Sequence, residues 1–255
     1  MTQRRTLLQA GAALALGSSL PARAAAPFQM AYFETYSPLS FRQGNALQGI
    51  LMNVIEEVMH RRMGVGVDHK GYPWNRAQLM VQNGEADAIC TIATPERLEY
   101  AVAAEEPVVS PRRRIFVRAS HPMLAQIRQV KDLDELRQLN LTVVSYAGNG
   151  WAKANLVDFK VEQGIDFESA LKMLILRRGD VFIDNSFTMQ YSLQRLPGGN
   201  EILMMPANLD QSHFQLLVSK KSAHLGLLPA FDTALRQFKR TPQYARIYQQ
   251  YGVQP

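Results

Sequence analysis

The sequence predicts an α/β fold in two lobes joined by a hinge. Three observations point there. Strand-like and helix-like stretches alternate along the chain, which implies βαβ units and a largely parallel sheet. The alternation runs from Phe28 to Ile92 and then starts again beyond Pro111. The two sets are joined by extended segments near residues 108–114 and 210–214, with no Gly/Ser linker. A chain that crosses twice in this way can hinge between lobes. With 47% apolar and 20% charged residues in 255, the composition suits a folded globular chain.

The first residues stand apart from that fold. Arg4 and Arg5 form a basic leader, residues 7–20 are a short apolar run, and Ala22-Arg23-Ala24 has the small-residue form of a cleavage site. Residues 1–24 therefore read as a signal peptide, twin-arginine-like or Sec, with a mature start near Ala25. The run is too short and too rich in Gly and Ser for a good membrane span. No Cys lies near the cleavage site, so a lipid anchor is not indicated. Losing Arg4, Arg5 and Arg23 takes the formal +6 to +3. That is too little to argue for nucleic acid. The densest basic run, Pro111-Arg112-Arg113-Arg114, lacks interleaved aromatics and reads as a solvated edge or connector.

The elements follow in order. Residues 28–33 form the first strand. Residues 47–63 form an amphipathic helix, with Ile50, Leu51, Val54, Ile55, Val58 and Met59 on one face. Residues 65–72 are extended, and 75–82 form a short helix stopped by Asn83-Gly84. Residues 86–92 make an apolar strand. The second set begins with an extended stretch over 108–117, interrupted by Pro111. Asp132 caps a short helix through Leu139. A strand over 141–145 leads into the loop 146–150 and a helix over 151–162. A helix over 167–178, a strand over 181–184 and a helix from about Ser186 come next. Strands over 202–205 and 214–219 follow, and helices over 227–239 and 243–251 close the chain.

One cysteine, Cys90, excludes an intrachain disulfide and a Cys-based metal site. His60, His69, His121, His213 and His224 are scattered, so no metal and no cofactor are predicted. No later segment has the length of apolar residues that a membrane span needs.

Ligands of open α/β sheets sit beyond the carboxyl ends of strands, near helix N-termini. Arg97 is the first candidate there. Thr94 suits an N-cap, Pro95 the first helical position, and Glu96 the positive helix end. A guanidinium so placed can hold a carboxylate through two parallel hydrogen bonds; pairing with Glu105 or Glu106 is the bland alternative. Tyr36 and Trp74 follow strands and can cover a ligand or simply pack the rim. In the second lobe, the loop Tyr146-Ala147-Gly148-Asn149-Gly150 offers an anion nest or a plain tight turn. Asp184 ends a strand and can accept from an ammonium or cap the helix after it. One cation, one anion, amide donors and aromatic walls would together suit a zwitterion. No nucleophile and base stand paired, and only Asp184 and Glu34 offer a cleft acid.

The mature chain resembles the family 3 extracellular solute-binding proteins, the polar amino acid binders of ABC importers. Its landmarks are Tyr36-Ser37-Pro38-Leu39-Ser40-Phe41, Leu47-Gln48-Gly49, Pro73-Trp74-Asn75-Arg76-Ala77, Asn83-Gly84-Glu85-Ala86-Asp87, Thr94-Pro95-Glu96-Arg97 and Tyr244-Ala245-Arg246-Ile247-Tyr248. Each alone is weak; their order and spacing together are strong. The resemblance implies a two-lobe periplasmic binding protein of type II, closing like a Venus flytrap. Lobe 1 would take residues 25–110 and 213–255, and lobe 2 residues 111–212.

It further implies that Arg97 grips a ligand carboxylate, Asp184 its ammonium, Tyr36 stacks on its side chain, and Asn149 and Gly150 supply donors. Trp74 and Thr91 complete the expected site. The sequence departs from the family pattern at Ile92, where a hydroxyl residue is usual, and Cys90 or Thr91 are the replacements on offer. Expected partners are a small amino acid or organic acid and the membrane subunits of an importer. A membrane receptor is the alternative, served by a sensing module. The expected protein is a periplasmic monomer and not an enzyme, a two-lobe dehydratase being the lesser reading.

Overall fold

The computed structural model describes residues 26–254. The export segment read over residues 1–24 lies outside them. In the first lobe the chain runs through β1 (Phe28–Phe33), β2 (Thr35–Tyr36), β3 (Ser40–Gln43), β4 (Ala46–Gln48), α1 (Ile50–Ile55), β5 (Val67–Tyr72), α2 (Trp74–Asn83), β6 (Ala88–Ile92), α3 (Pro95–Tyr100) and β7 (Ala101–Ala103). The second lobe holds β8 (Arg112–Arg118), α4 (Leu124–Gln129), α5 (Leu133–Gln138), β9 (Thr142–Tyr146), α6 (Gly150–Asn155), β10 (Lys160–Gly164), α7 (Phe167–Ile175), β11 (Val181–Asn185), α8 (Ser186–Leu193), β12 (Ile202–Met204) and β13 (Asp210–Gln211). The chain returns as β14 (Phe214–Ser219), α9 (Leu228–Lys239) and α10 (Pro242–Gln249).

Each lobe is built on its own sheet. The first has the strand order β5-β1-β6-β14-β7 and the second β10-β9-β11-β8-β12, with β13 on β8. Pairing is parallel where βαβ units were expected, among β5, β1 and β6 and between β9 and β11, and β10 also lies parallel to β9. The sheets are not largely parallel throughout. β14 runs against both β6 and β7, and β8 against β11, β12 and β13. The double crossing explains this for β14, which starts beside the end of β6, Phe214 facing Ile92, and must run back against it. At the crossing itself Val109 bridges Phe214 and β13 pairs with β8, so the two connecting segments lie side by side.

The first core gathers the expected helix face, Ile50, Leu51, Val54, Ile55, Val58 and Met59, against Phe28, Met30, Tyr32, Phe231 and Phe238. Burying each such side chain contributes about 1.5–3 kcal/mol. The helix starts at Ile50, not at Leu47. Residues 46–48 form β4 instead, and Gly49 has φ 141 with its absent Cβ only 2.3 Å from the Leu39 carbonyl oxygen. A side chain there would collide with backbone, so the chain turns on glycine. Beyond Ile55 the helix widens into a π-helix over Glu56–Arg62. α2 ends as expected at Asn83, with Gly84 left-handed at φ 79.

The second core packs Ile115, Val117, Val143 and Val181. The helix expected over 151–162 is corrected here. α6 stops at Asn155, and Lys160–Gly164 forms an edge strand in register with β9, Val161 facing Val143. Phe159 and Val161 pack on the second core, so tertiary contacts override a helix-compatible sequence. The short sheet β2-β3-β4 and helix α4 lie in stretches that showed no clear pattern.

Candidate functional site

The first wall of the cleft forms where β1 and β6 end and α2 and α3 begin. A pocket of about 260 Å³ there is lined by Phe33, Tyr36, Trp74, Thr91, Arg97 and Phe214, among others. Pro95 opens α3 and brings Arg97 into its first turns. Thr94 stands at the N-cap position, but its side chain caps no backbone N–H. The Thr94 side chain beside it holds the Glu96 carboxyl below its ordinary range. Arg97 Nε donates to Gln78 Oε1 at 3.1 Å, and Nη1 donates to the Ile92 carbonyl at 2.9 Å. The guanidinium stands 5.1 Å from the Trp74 ring centroid.

No acid neutralises Arg97 through a salt bridge among the described residues. Glu106 pairs with Lys239, and the backbone N–H groups of Glu105 and Glu106 bond Asp232, so the bland pairing does not occur. Burial lowers the Arg97 pKa from its ordinary value, opposed by Tyr100 and Glu96. A guanidinium stripped of part of its water, and lacking a counter-ion, favours an arriving anion. Ile92, the departure from the family pattern, serves through its carbonyl. Thr91 and Cys90 both line the pocket, and burial pushes the Cys90 thiol up, which keeps it inert.

Tyr36 joins the two lobes. Its ring lies 6.1 Å from both Phe33 and Phe214, and its hydroxyl accepts from Asn185 Nδ2 at 3.2 Å. Burial raises its pKa, and the charge of Asp184 adds to that. Trp74 packs 5.7 Å from Phe33.

The second wall is built on the end of β11. Asn185, not Asp184, caps α8: its Oδ1 accepts from the N–H of Phe187 at 2.9 Å and of Thr188 at 3.5 Å. Asp184 is buried inside its own wall. It accepts from the Asn185 N–H at 2.6 Å, Arg113 Nη1 at 3.3 Å and Asn149 Nδ2 at 3.4 Å. Burial raises its pKa, and Arg113 is the strongest opposing influence. Arg113 also lies 4.4 Å over the Trp151 ring.

Arg113 therefore corrects the reading of residues 111–114 as a solvated edge or connector. Arg112 is exposed, while Arg113 faces inward. Strand alternation explains the difference, because 113 shares its face with Ile115 and Val117 of the second core. That period of two was the signal available in the sequence, and the run of three arginines obscured it.

The loop between β9 and α6 carries Gly148 at φ 86, and Asn149 caps α6 by accepting from the Ala152 N–H at 3.1 Å. Asn149 and Gly150 line a separate cavity of about 560 Å³. A larger cavity of about 770 Å³ lies between the walls, lined by Phe33 and Tyr36 on one side and Tyr146, Phe167, Thr188 and Tyr191 on the other. Of the expected residues, Tyr36, Trp74, Thr91 and Arg97 thus share one pocket. Asn149 and Asp184 bond each other across the second wall, with Gly150 beside them. Tyr36 connects the sets through Asn185. Sequence reasoning missed Phe33, Gln78, Arg113, Trp151 and Asn185. Glu34, the other cleft acid considered, is paired with Arg42 at 2.6 Å. No cluster of three His, Cys, Asp or Glu fit to hold a metal exists among the described residues, and no described helix is long and apolar enough to cross a membrane.

The two-sheet fold and this cleft define a two-lobe solute-binding protein of type II. Residues 28–254 match the family model of the bacterial extracellular solute-binding proteins, family 3, and the chain belongs to that family. None of the curated proteins matches it in sequence. Among solved structures it is similar to the second substrate binding domain of a putative amino acid ABC transporter from Streptococcus pneumoniae Canada MDR_19A. The TM-score is 0.70 at 19% identity, over 88% of this chain and 99% of that one. It is similar to substrate binding domain 2 of Lactococcus lactis GlnP in an open conformation, with TM-score 0.69, 15% identity, and coverage of 88% and 94%. The reconstructed ancestral cationic amino acid solute binding protein AncCDT-1 gives TM-score 0.68 at 18% identity, over 88% and 95%. These identities speak for the fold.

Proposed function

We propose that this chain is an exported, periplasmic, monomeric binding protein that captures an amino acid or similar small carboxylate and delivers it to an ABC importer. Residues 25–110 with 213–255 form one lobe and 111–212 the other, and they close on the ligand about the paired crossing segments. Arg97 grips the carboxylate. Tyr36 and Trp74 wall its body, and Thr91 lines the floor. Asn149, Gly150 and Asp184 belong to the facing wall.

One observation carries the reading. Arg97 is fixed by Gln78 and the Ile92 carbonyl, stands against Trp74 and has no acidic partner among the described residues, in a pocket lined with aromatic rings. Such a grip and aromatic burial suffice for micromolar affinity, about −8 kcal/mol. The names of the similar structures, transporter and amino acid binding domains, support the same class of cargo. Binding without catalysis is favoured because Glu34 is engaged by Arg42 and Asp184 by Arg113.

A thermal-shift screen of amino acids and small organic acids tests this. A hit should lose its shift in Arg97→Ala. Unchanged binding of the hit by that variant would sink the carboxylate role.

A further inference from the structure

The second wall spends its buried acid, Asp184, on its own cation. Asp184 offers about four lone-pair directions. Three donors already approach it: Asn185 N–H, Arg113 Nη1 and Asn149 Nδ2. An ammonium group seeking Asp184 must take what is left beside them and stand against the Arg113 guanidinium. Meeting a like charge in a buried site opposes it.

Nor does another acid offer itself. None lines the pocket that holds Arg97. Of the acids around the larger cavity, Asp166 accepts from the Ser169 N–H at 2.7 Å as the cap of α7, and Glu168 pairs with Lys172 at 2.6 Å. Arg195 shares that rim. Asp210 lies 4.0 Å from Arg113. The Trp74 face, which could otherwise attract a cation, already carries Arg97. Meanwhile Arg113 Nε is buried without a hydrogen-bond partner, so this wall has a charged donor to spare.

We propose that the ligand is a carboxylate with an apolar body and no α-ammonium group, and that Arg113, by occupying Asp184, sets this preference. The inference rests on the reading of Arg97 as the carboxylate grip. It narrows the cargo from amino acids to organic acids whose apolar part meets Phe33, Tyr36 and Phe214. Arg113 acts through Asp184 as a positioning residue.

Calorimetric titration with matched pairs tests it: 3-phenylpropanoate against L-phenylalanine, and 4-methylpentanoate against L-leucine. The wild-type chain should bind the acid without the amine about tenfold more tightly or better in at least one pair. Arg113→Met should shrink or reverse that ratio, and Arg113→Lys, which keeps the charge, should retain it. A merely structural role for Arg113 would weaken both members of a pair together and leave the ratio unchanged, which overturns the assignment to Arg113. If Arg113→Met fails to fold, the wild-type ratio still decides the ligand class, and Arg113→Gln, which also removes the charge, takes the place of Arg113→Met in deciding the role of Arg113. Equal or tighter binding of the amino acids, or no binding of any of the four compounds, overturns the inferred ligand class. Arg97→Ala separates the two readings. Amino acids that bind tighter and depend on Arg97 leave the carboxylate grip standing. Ligands bound equally well without Arg97 remove the grip itself.

Discussion

The two walls of the cleft each hold an arginine, and they use it in opposite ways. Arg97 is braced by neutral groups, a glutamine side chain and a backbone carbonyl, so its charge is left for something outside the wall. Arg113 is braced by an acid of the same wall, so its charge is consumed at home. Both stand against a tryptophan, Arg97 on Trp74 and Arg113 on Trp151. A guanidinium's place in a cleft therefore says less about its role than the charge of whatever holds it. Neutral bracing leaves a guanidinium's charge to be met from outside the wall; acidic bracing meets it within.

The comparison breaks first at Asp184. If its work is to pair with Arg113, Asp184→Ala leaves a buried cation without its partner. Stability should fall by about 3 kcal/mol, read from urea unfolding. A loss below about 1 kcal/mol would show an acid held free for ligand instead. Arg97→Ala should behave the other way round. It removes charge-assisted bonds to the ligand worth about 2–3 kcal/mol, roughly a hundredfold in affinity by calorimetry, while the unfolding midpoint stays near wild type. If both variants lose stability equally, the two arginines do not differ as described. A smaller effect sits between the walls. Tyr36→Phe deletes the hydroxyl that accepts from Asn185 and should cost about 1 kcal/mol of stability, with little loss of ring contact to the ligand. A loss of ligand affinity far larger than the stability change would mean that the hydroxyl binds ligand directly.

The walls also differ in how far the sequence revealed them. The first was legible because its signals are local. Proline at the start of α3 and glycine at the end of α2 fix where helices begin and stop, and Arg97 follows by counting. The second depends on contacts distant in sequence. Arg113 meets Asp184 only because β8 lies antiparallel to β11, a pairing that three adjacent arginines do not announce. The cap of α8 moved by one residue, from Asp184 to Asn185, because aspartate and asparagine cap equally well and only the strand's true end separates them. β10 was misread because Lys160–Gly164 is an edge strand with few apolar residues, and its inward face is set by packing. The βαβ succession and the apolar face of the first long helix were readable from period and punctuation; the antiparallel strands and the wiring across the second wall were not.

The mildest contrast is in acid. In the first lobe, the Tyr32 hydroxyl and His69 Nδ1 are 3.0 Å apart. His69 Nε2 and His60 Nδ1 reach Glu56 at 3.1 and 2.7 Å. Partial burial pushes the Glu56 pKa up, but the bonds from His69 and His60 outweigh it and hold the carboxyl below its usual range. Burial in the second lobe holds Asp184 above its usual range. The signs are opposite. A depressed carboxylate contributes stability that is full above its unfolded pKa and is lost as pH falls through its folded one. A raised one binds its proton more readily when folded, so acid favours the folded state at that group. Melting temperatures taken from about pH 7 down to about pH 3 should therefore fall less steeply in Glu56→Gln than in wild type, because the group that loses its charge is gone. Exposure of Glu56 keeps the effect small. An acid profile identical to wild type would mean that the histidine contacts do not discriminate the two states of Glu56, and that the first lobe's acid sensitivity lies elsewhere.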